Sequence, residues 1–247
     1  MIIDFTKEYE VLHRDIDKNL DCRITSILDF LTDVGMSHEE SLGIDISLNN
    51  KDGVVFVFYD YDIRINKYPK YKEKIKIVTS VDNIQRFYAT RKYKVFGENS
   101  ELLVEADALA VVIDVNKRKI ARVPDIYYEK HNIEKGKKIR SERLTLEPMG
   151  QVDLSKEFHI RYSDIDSNNH INNVKYVDWA LSTVPKNILE DYNLKQVQIK
   201  FEKEIVEEDT VKVNIEILDI EDGIKIKHRI LNSLGEEVNA IDTYWSK

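Results

Sequence analysis

The residues best suited to chemistry lie together between Tyr162 and Tyr176, where two aspartates, four asparagines and one histidine fall within fifteen positions. His170 can move protons near neutral pH, the Asn168 amide can donate a hydrogen bond to a carbonyl oxygen, and the Asp166 carboxylate can act as a base or a nucleophile. Because Asp and Asn favour turns and helix starts, we expect a loop that leads into a helix near Ile171. This combination of side chains suits acyl transfer.

Other interpretations of the same loop have less support. Asp and Asn can simply cap the following helix, with His170 packed against it. Asp164, Asp166 and His170 offer oxygen and nitrogen ligands, but no cysteine or second histidine lies at ligand spacing, so we predict no metal and no cofactor. The nearby serines lack the glycine-flanked turn of an exposed nucleophile. The single cysteine, Cys22, is interpreted as a buried apolar residue.

The elements that must position this loop occur twice along the chain. In each half, a short strand and a helix with apolar residues at three-and-four spacing precede four alternating apolar segments. A helix followed by several strands predicts an α+β unit whose sheet covers the apolar stripe of the helix. The predicted strands of the first half are Tyr9–Arg14, Val54–Ile65, Lys74–Gln85, Tyr88–Phe96 and Leu102–Asp114. Those of the second half are Lys156–Tyr162, Lys195–Ile205, Thr210–Leu218, Ile224–Leu231 and Val238–Trp245.

An internal repeat relates the two halves. Sliding Phe5–Val34 onto Leu154–Thr183, with a constant offset of 149 and no gap, gives seven identical pairs out of thirty. In this alignment His170 falls on Asp21 of the first copy. We therefore expect both copies to keep the fold and only the second copy to keep the full polar set.

Composition and charge limit the classes of function. We expect residues 1–126 to form the first unit, residues 127–150 to form a charged linker, and residues 151–247 to form the catalytic unit. The net charge of −8 argues against nucleic acid as the main partner. No apolar run approaches the ~20 residues of a membrane span, and the N-terminus lacks the pattern of a signal peptide. The sequence therefore predicts a cytoplasmic protein that does not act at a membrane.

A known family shares these features. The stretch from Arg161 to Tyr176 resembles the signature of hotdog-fold thioesterases, and most closely that of the plant and bacterial acyl-ACP thioesterases. The likeness continues through Val177 to Pro185 and includes the two-copy architecture. The resemblance implies an α+β tandem hotdog fold, in which each unit is a long central helix wrapped by an antiparallel sheet. It also implies a thioester hydrolase whose partner is acyl carrier protein bearing a phosphopantetheine-linked acyl chain, with free fatty acid and holo-ACP as products.

The resemblance assigns catalytic roles by position. The family's aspartate, asparagine and histidine fall on Asp166, Asn168 and His170, and a further glutamate, in a strand after the helix, falls on Glu204. Without the resemblance, Glu204 would be taken as part of a solvated acidic stretch. Glu204 and His170 would activate water, while Asp166 either orients His170 or attacks the carbonyl to give an anhydride. Some members have a cysteine after the glutamate; Ile205 occupies that position here, so activity cannot require it.

The first copy has no histidine at Asp21, so we expect it to hold the acyl chain. The residues expected to line an apolar tunnel are Ile27, Phe30, Leu31 and Val34, although ordinary core packing is the simpler interpretation for each one. Basic clusters can dock the acidic carrier protein or can simply be solvated. The lysines expected to contact the carrier are Lys70, Lys72, Lys137 and Lys138.

Two alternative functions stay open. An acyl-CoA thioesterase of the same fold would use the same residues, and a non-catalytic acyl-carrier-binding protein would keep the fold without turnover. Retention of the whole proton-transfer set argues against the second alternative. Because two units in one chain can form the pair that single-unit relatives obtain by dimerising, a monomer is credible, and a homodimer is equally compatible with the sequence.

Overall fold

The computed structural model describes residues 2–44, 53–136, 143–166, 170–205 and 210–247. The chain divides into two compact units. The first comprises Met1–Tyr59 and Ile65–Arg143, and the second comprises Asp60–Arg64 and Leu144–Lys247. Among the described residues, no helix combines the length and the apolar character that crossing a membrane demands.

The first unit is built around one long helix, α1 (Ile24–Ser41), which packs against β1 and β3. Its apolar residues recur every third or fourth position, so one stripe is buried: Ile24, Ile27, Leu28, Leu31 and Val34. The strands are β1 (Phe5–Glu10), β2 (Val54–Ile65), β3 (Lys74–Ile84), β4 (Tyr88–Phe96), β5 (Leu102–Asp114) and β6 (Lys119–Ile120). Antiparallel pairs give the order β1-β3-β4-β5, with β2 and β6 also paired to β5.

A second, short helix, α2 (Asp125–Lys130), closes the first unit. Tyr127 and Tyr128 are buried in a core cluster with residues of β3 and β5, and the Tyr127 ring lies 4.9 Å from that of Phe56. The linker that we expected at residues 127–150 therefore begins inside the first unit. The expectation failed here because the charged residues around α2 conceal two buried aromatic side chains.

The second unit repeats this plan. Its helices are α3 (Asn173–Thr183) and α4 (Lys186–Asp191), and its strands are β7 (Leu154–His159), β8 (Asn193–Phe201), β9 (Thr210–Ile220), β10 (Gly223–Leu231) and β11 (Glu237–Ser246). The strand order is β7-β9-β10-β11-β8, and residues 60–64 of β2 pair with β8. Tyr176, Val177, Trp179 and Ala180 of α3 are buried against the sheet.

The chain before β7 is fixed to the second unit. The backbone N–H of Gly150 donates to Glu216 (2.8 Å), and Lys227 donates to the carbonyl of Pro148 (3.0 Å). The hydrogen bond from Gly150, together with the nearby Lys227 ammonium, holds the pKa of Glu216 below its usual value. The later part of the expected linker is therefore anchored to β9 and β10.

Each unit has the helix-on-antiparallel-sheet arrangement of a hotdog, as predicted. Strands β2, β4 and β5 have the predicted bounds, whereas β1 runs from Phe5 to Glu10 instead of Tyr9 to Arg14. Residues of β1 alternate between partly buried and exposed at the sheet edge, where lysine and glutamate obscure the apolar pattern. Likewise, α3 begins at Asn173, two residues after the expected start.

Candidate active site

The loop that carries the predicted site is closed by the same two hydrogen bonds in both units. In the second unit, the N–H of Asp166 donates to the carbonyl of His170 (2.8 Å), and the N–H of His170 donates to Asp166 Oδ1 (3.2 Å). In the first unit, Asp17 and Asp21 form the same two bonds, at 2.8 and 3.1 Å. Since Asp21 replaces the histidine without changing these bonds, closing the loop does not require an imidazole. One carboxylate oxygen of Asp166 therefore has a structural partner.

Asp164 is part of the scaffold under this loop. It is 4% exposed, and its Oδ2 accepts the N–H of Arg161 (2.9 Å) while its carbonyl accepts the N–H of Asn172 (2.9 Å). Asp15 makes the equivalent bonds in the first copy. The side chain of Asp164 thus fixes the turn before the loop and is not presented to a substrate.

His170 and Glu204 meet across the site. His170 Nε2 lies 3.3 Å from Glu204 Oε2, and their side chains are 32% and 44% exposed, so water reaches both. Glu204 follows the end of β8, where two successive N–H groups donate to the carbonyl of Val238 and turn the chain. Ile205 is buried and anchors the segment. The partner that only the family resemblance indicated is therefore within contact distance of the histidine.

Among the described residues, the start of α3 leaves one backbone donor open. The Asn172 side chain caps the helix by accepting the N–H of Val174 (3.0 Å), and the Asn172 carbonyl accepts the N–H of Lys175 (2.8 Å). Within the described part of the chain, the N–H of Asn173, the first helical residue, has no acceptor. Asn168, the other predicted donor, lies outside the described residues.

The first unit contains a cavity of about 110 Å³. Apolar side chains of β2 to β5 form much of its wall, including Val54, Phe56, Ala89 and Ala108. On α1, however, the lining residues are Thr32, Gly35, Met36 and Glu39. Of the helix residues predicted to line a tunnel, Ile27, Leu31 and Val34 lie in the core, and the Phe30 ring is tilted against that of Tyr9 at 4.9 Å, so the structure does not bring these four to this cavity.

One side of the cavity wall is charged. Arg91 ion-pairs with Glu39, whose other oxygen lies 3.1 Å from His131 Nε2, and all three residues line the cavity. Arg91 Nη1 also bonds His38 Nδ1 (3.0 Å) and Thr79 Oγ1 (3.2 Å). Burial would raise the pKa of Glu39, but the His131 hydrogen bond and the Arg91 charge outweigh it and hold that pKa below its usual value.

Sequence reasoning missed this cluster because Arg91 and His131 lie far along the chain from His38 and Glu39, and the four form no spacing pattern. His38, Glu39 and His131 place donor atoms within 4.8 Å of one another, close enough to hold a metal ion. The guanidinium of Arg91 already supplies the positive charge there, since it is bonded to both His38 and Glu39. A cation would be repelled, so the cluster does not fit a metal.

The predicted carrier-binding lysines are only partly available. Lys70 forms an ion pair with Asp21, and the Lys72 ammonium lies 5.4 Å from the ring centre of Tyr71. Lys137 and Lys138 lie outside the described residues. The basic cluster at residues 64–76 thus includes at least one lysine with an acidic partner.

Comparison with known proteins identifies the family. Residues 3–131 match the family model of the acyl-ACP thioesterase N-terminal domain, and residues 148–247 match that of the C-terminal domain. A chloroplast dodecanoyl-[acyl-carrier-protein] hydrolase from Cinnamomum camphora is 20% identical, covering 98% of this chain and 67% of its own length. This chain spans about half to two thirds of the length of the curated relatives it matches.

Solved structures share the fold. The 12:0-ACP thioesterase from Umbellularia californica superposes with a TM-score of 0.86 at 18% identity, over 98% of this chain and 93% of its own. An acyl-ACP thioesterase from Bacteroides thetaiotaomicron gives a TM-score of 0.83 at 18% identity, over 98% of each chain. The predicted double hotdog is therefore confirmed, and this chain belongs to the acyl-ACP thioesterase family.

Proposed function

We propose that this protein hydrolyses the thioester of acyl-ACP and releases a free fatty acid and holo-ACP, within fatty acid biosynthesis. The observation that carries the proposal is the 3.3 Å approach of His170 to Glu204 beside the Asp166 loop, in the copy that alone has the histidine. Family membership supports the substrate class. The cytoplasm is the location predicted from the sequence.

The His170–Glu204 pair would supply the base. A neutral His170 that donates its Nε2–H to Glu204 keeps a lone pair on Nδ1. Nδ1 would take a proton from a water molecule as that water attacks the thioester carbonyl. Glu204 would stabilise the resulting imidazolium, which then returns the proton to the departing thiolate.

The developing oxyanion needs hydrogen-bond donors. We assign this role to the Asn168 amide and the N–H of Asn173. The open N–H of Asn173 supports the assignment, because it lies at the positive end of α3. Removing one such donor typically costs about 3–4 kcal/mol in the transition state.

Asp166 is proposed as a positioning residue. Its Oδ1 holds the backbone N–H of His170, as Asp17 holds Asp21 in the first copy. The competing role is direct attack that gives an anhydride. Single turnover in water labelled with heavy oxygen separates the two roles, since label appearing in the Asp166 carboxylate would exclude direct attack by water.

The first unit, predicted at residues 1–126, is proposed to select the acyl chain. Its cavity is largely apolar, whereas the loop equivalent to the catalytic loop carries Asp21 paired with Lys70. The cavity residues of α1, such as Gly35 and Met36, are the helix positions that we propose contact the chain, in place of Ile27, Phe30, Leu31 and Val34. The carrier protein would approach basic surfaces, including Lys70 and Lys72, and this contact should weaken with salt.

The decisive experiment measures fatty acid release from acyl-ACP by the purified protein and by His170→Ala and Glu204→Gln variants. We expect release by the wild type and a loss of at least about 100-fold in each variant. His159→Ala, a change at an exposed histidine on β7, is the matched control and should keep wild-type activity.

The same assay separates the alternatives. Faster release from acyl-CoA than from acyl-ACP would favour the acyl-CoA thioesterase. Binding of acyl-ACP without any release would favour the non-catalytic binder and would refute the proposed hydrolase.

A further inference from the structure

Arg91 has more donors than the protein uses. A guanidinium carries five N–H groups. Those on Nη1 reach His38 Nδ1 and Thr79 Oγ1, and Nη2 reaches Glu39. Among the residues that the structure describes, nothing accepts the N–H on Nε. Nε is not among the side-chain atoms that are both buried and unpaired, so its N–H reaches open space, where an acceptor supplied from elsewhere can bind it.

This open donor lies beside the cavity. A Cβ added to Gly35 would lie 3.9 Å from Arg91 Nε and 3.8 Å from its Cδ. Gly35 and Arg91 both line the cavity. The absence of a side chain at residue 35 therefore leaves space on the α1 side of the N–H, where an atom of a bound chain can approach.

The charge of the cluster restricts what this acceptor can be. The ionised Glu39 already balances Arg91. Burial, and then the Arg91 charge, lower the pKa of His38 to about 4, so His38 is neutral near pH 7. A second carboxylate would leave the buried cluster with a net negative charge, which is unfavourable at low exposure. The acceptor that fits is an uncharged oxygen.

We propose that the cavity of the first unit accepts acyl chains that carry a hydroxyl or oxo group, whose oxygen accepts the hydrogen bond of Arg91 Nε–H. This inference rests on the proposed acyl-ACP hydrolysis and names the substrate class of the same enzyme. An unsubstituted chain fills the apolar part of the cavity but leaves the N–H unpaired. A hydrogen bond to a charged donor contributes a factor of about 10 to 100 in binding.

The test compares lauroyl-ACP with the series of hydroxylauroyl-ACPs that differ in hydroxyl position. We expect one position to raise kcat/KM at least about 10-fold above that of lauroyl-ACP. Arg91→Lys keeps the charge opposite Glu39 but removes the Nε–H, so the ratio between the two substrates should fall towards one. Thr79→Val removes a different partner of Arg91 and should retain the ratio.

A second variant protects the test against misfolding of Arg91→Lys. Gly35→Ala places a methyl group beside Nε, so it should also lower the ratio; Tyr93 Oη, 3.0 Å from that methyl, must shift slightly. Calorimetry that compares the binding of free laurate with that of hydroxylaurate tests the site independently of catalysis.

The outcomes separate the inference from the proposed function. The inference is overturned, and the hydrolase stays intact, if all hydroxyl positions are hydrolysed at equal rates. The same holds if the preference for one hydroxylauroyl-ACP survives in both Arg91→Lys and Gly35→Ala. Tighter binding of hydroxylaurate without hydrolysis of any acyl-ACP supports the site and refutes the hydrolase. No hydrolysis and no binding preference overturns both.

Discussion

Filling the cavity from the sheet side should shorten the preferred acyl chain. Ala108 of β5 lines the cavity and is 3% exposed. Ala108→Val adds two carbon atoms to the wall, in the space of roughly two methylenes of substrate. At about 0.8 kcal/mol per buried methylene, a chain that filled the wild-type cavity loses about 1.6 kcal/mol, or about 15-fold in kcat/KM. The optimum should therefore move about two carbons shorter.

The assay is the product profile over a series of acyl-ACPs that differ in chain length. Ala106→Val provides the control, because Ala106 is 2% exposed and lies two residues earlier on the same face of β5, but does not line the cavity. Thermal denaturation of both variants measures the cost of overpacking, which is typically 1–3 kcal/mol, with about 2 kcal/mol expected here. If Ala108→Val leaves the profile unchanged, or if Ala106→Val shifts it equally, this cavity does not select the chain.

Three further changes test other parts of the structure. Asp166→Asn can still accept the N–H of His170, so it should keep wild-type stability. Asp166→Ala cannot, and it should lose about 1–2 kcal/mol in the free energy of urea unfolding. Equal losses in both variants would show that the carboxylate charge, not the hydrogen bond, holds the loop. Asn239 is fully buried, and neither the oxygen nor the nitrogen of its side-chain amide has a partner among the residues that the structure describes. Asn239→Leu should therefore raise the free energy of unfolding by about 1–3 kcal/mol, and a lower melting temperature would contradict this. Burial, and then Arg229, lower the pKa of His228 to about 3, so the unfolded chain binds a proton that the folded chain does not. The contribution of His228 to the free energy of unfolding is therefore fully present above the unfolded histidine pKa of about 6.5. It decreases as the pH drops towards 3, by up to about 1.4 kcal/mol per pH unit. Unfolding of His228→Gln should show a weaker pH dependence than wild type between these limits; identical slopes would assign the effect to other groups.

The repeat was the part of the structure that the sequence predicted best. The offset of 149 found in the sequence also relates the elements, since β1 (Phe5–Glu10) maps onto β7 (Leu154–His159) and the start of α1 at Ile24 maps onto that of α3 at Asn173. The aspartates of the loop keep the same spacing in both copies, because each one accepts hydrogen bonds from the backbone a few residues away. Local interactions leave a pattern in neighbouring positions, which a single sequence displays.

The features that the sequence did not predict depend on contacts between distant residues. Glu39, Arg91 and His131 come from three separate elements, and nothing in their own neighbourhoods distinguishes them from surface charges. Glu204 stood in an acidic stretch, and only the family resemblance selected it. Tyr127 was assigned to a linker because its neighbours are charged, although its ring packs in the core.

The shared loop shows that one set of hydrogen bonds can hold different side chains at the same position of the two copies. Both copies close the loop through an aspartate and the backbone, so these hydrogen bonds do not fix the type of side chain at residue 21 or 170. Selection could then act on proton transfer in one copy and on ligand fit in the other. For the same reason, the fold should tolerate Asp21→His. The first unit is therefore a natural starting point for engineering a second catalytic centre.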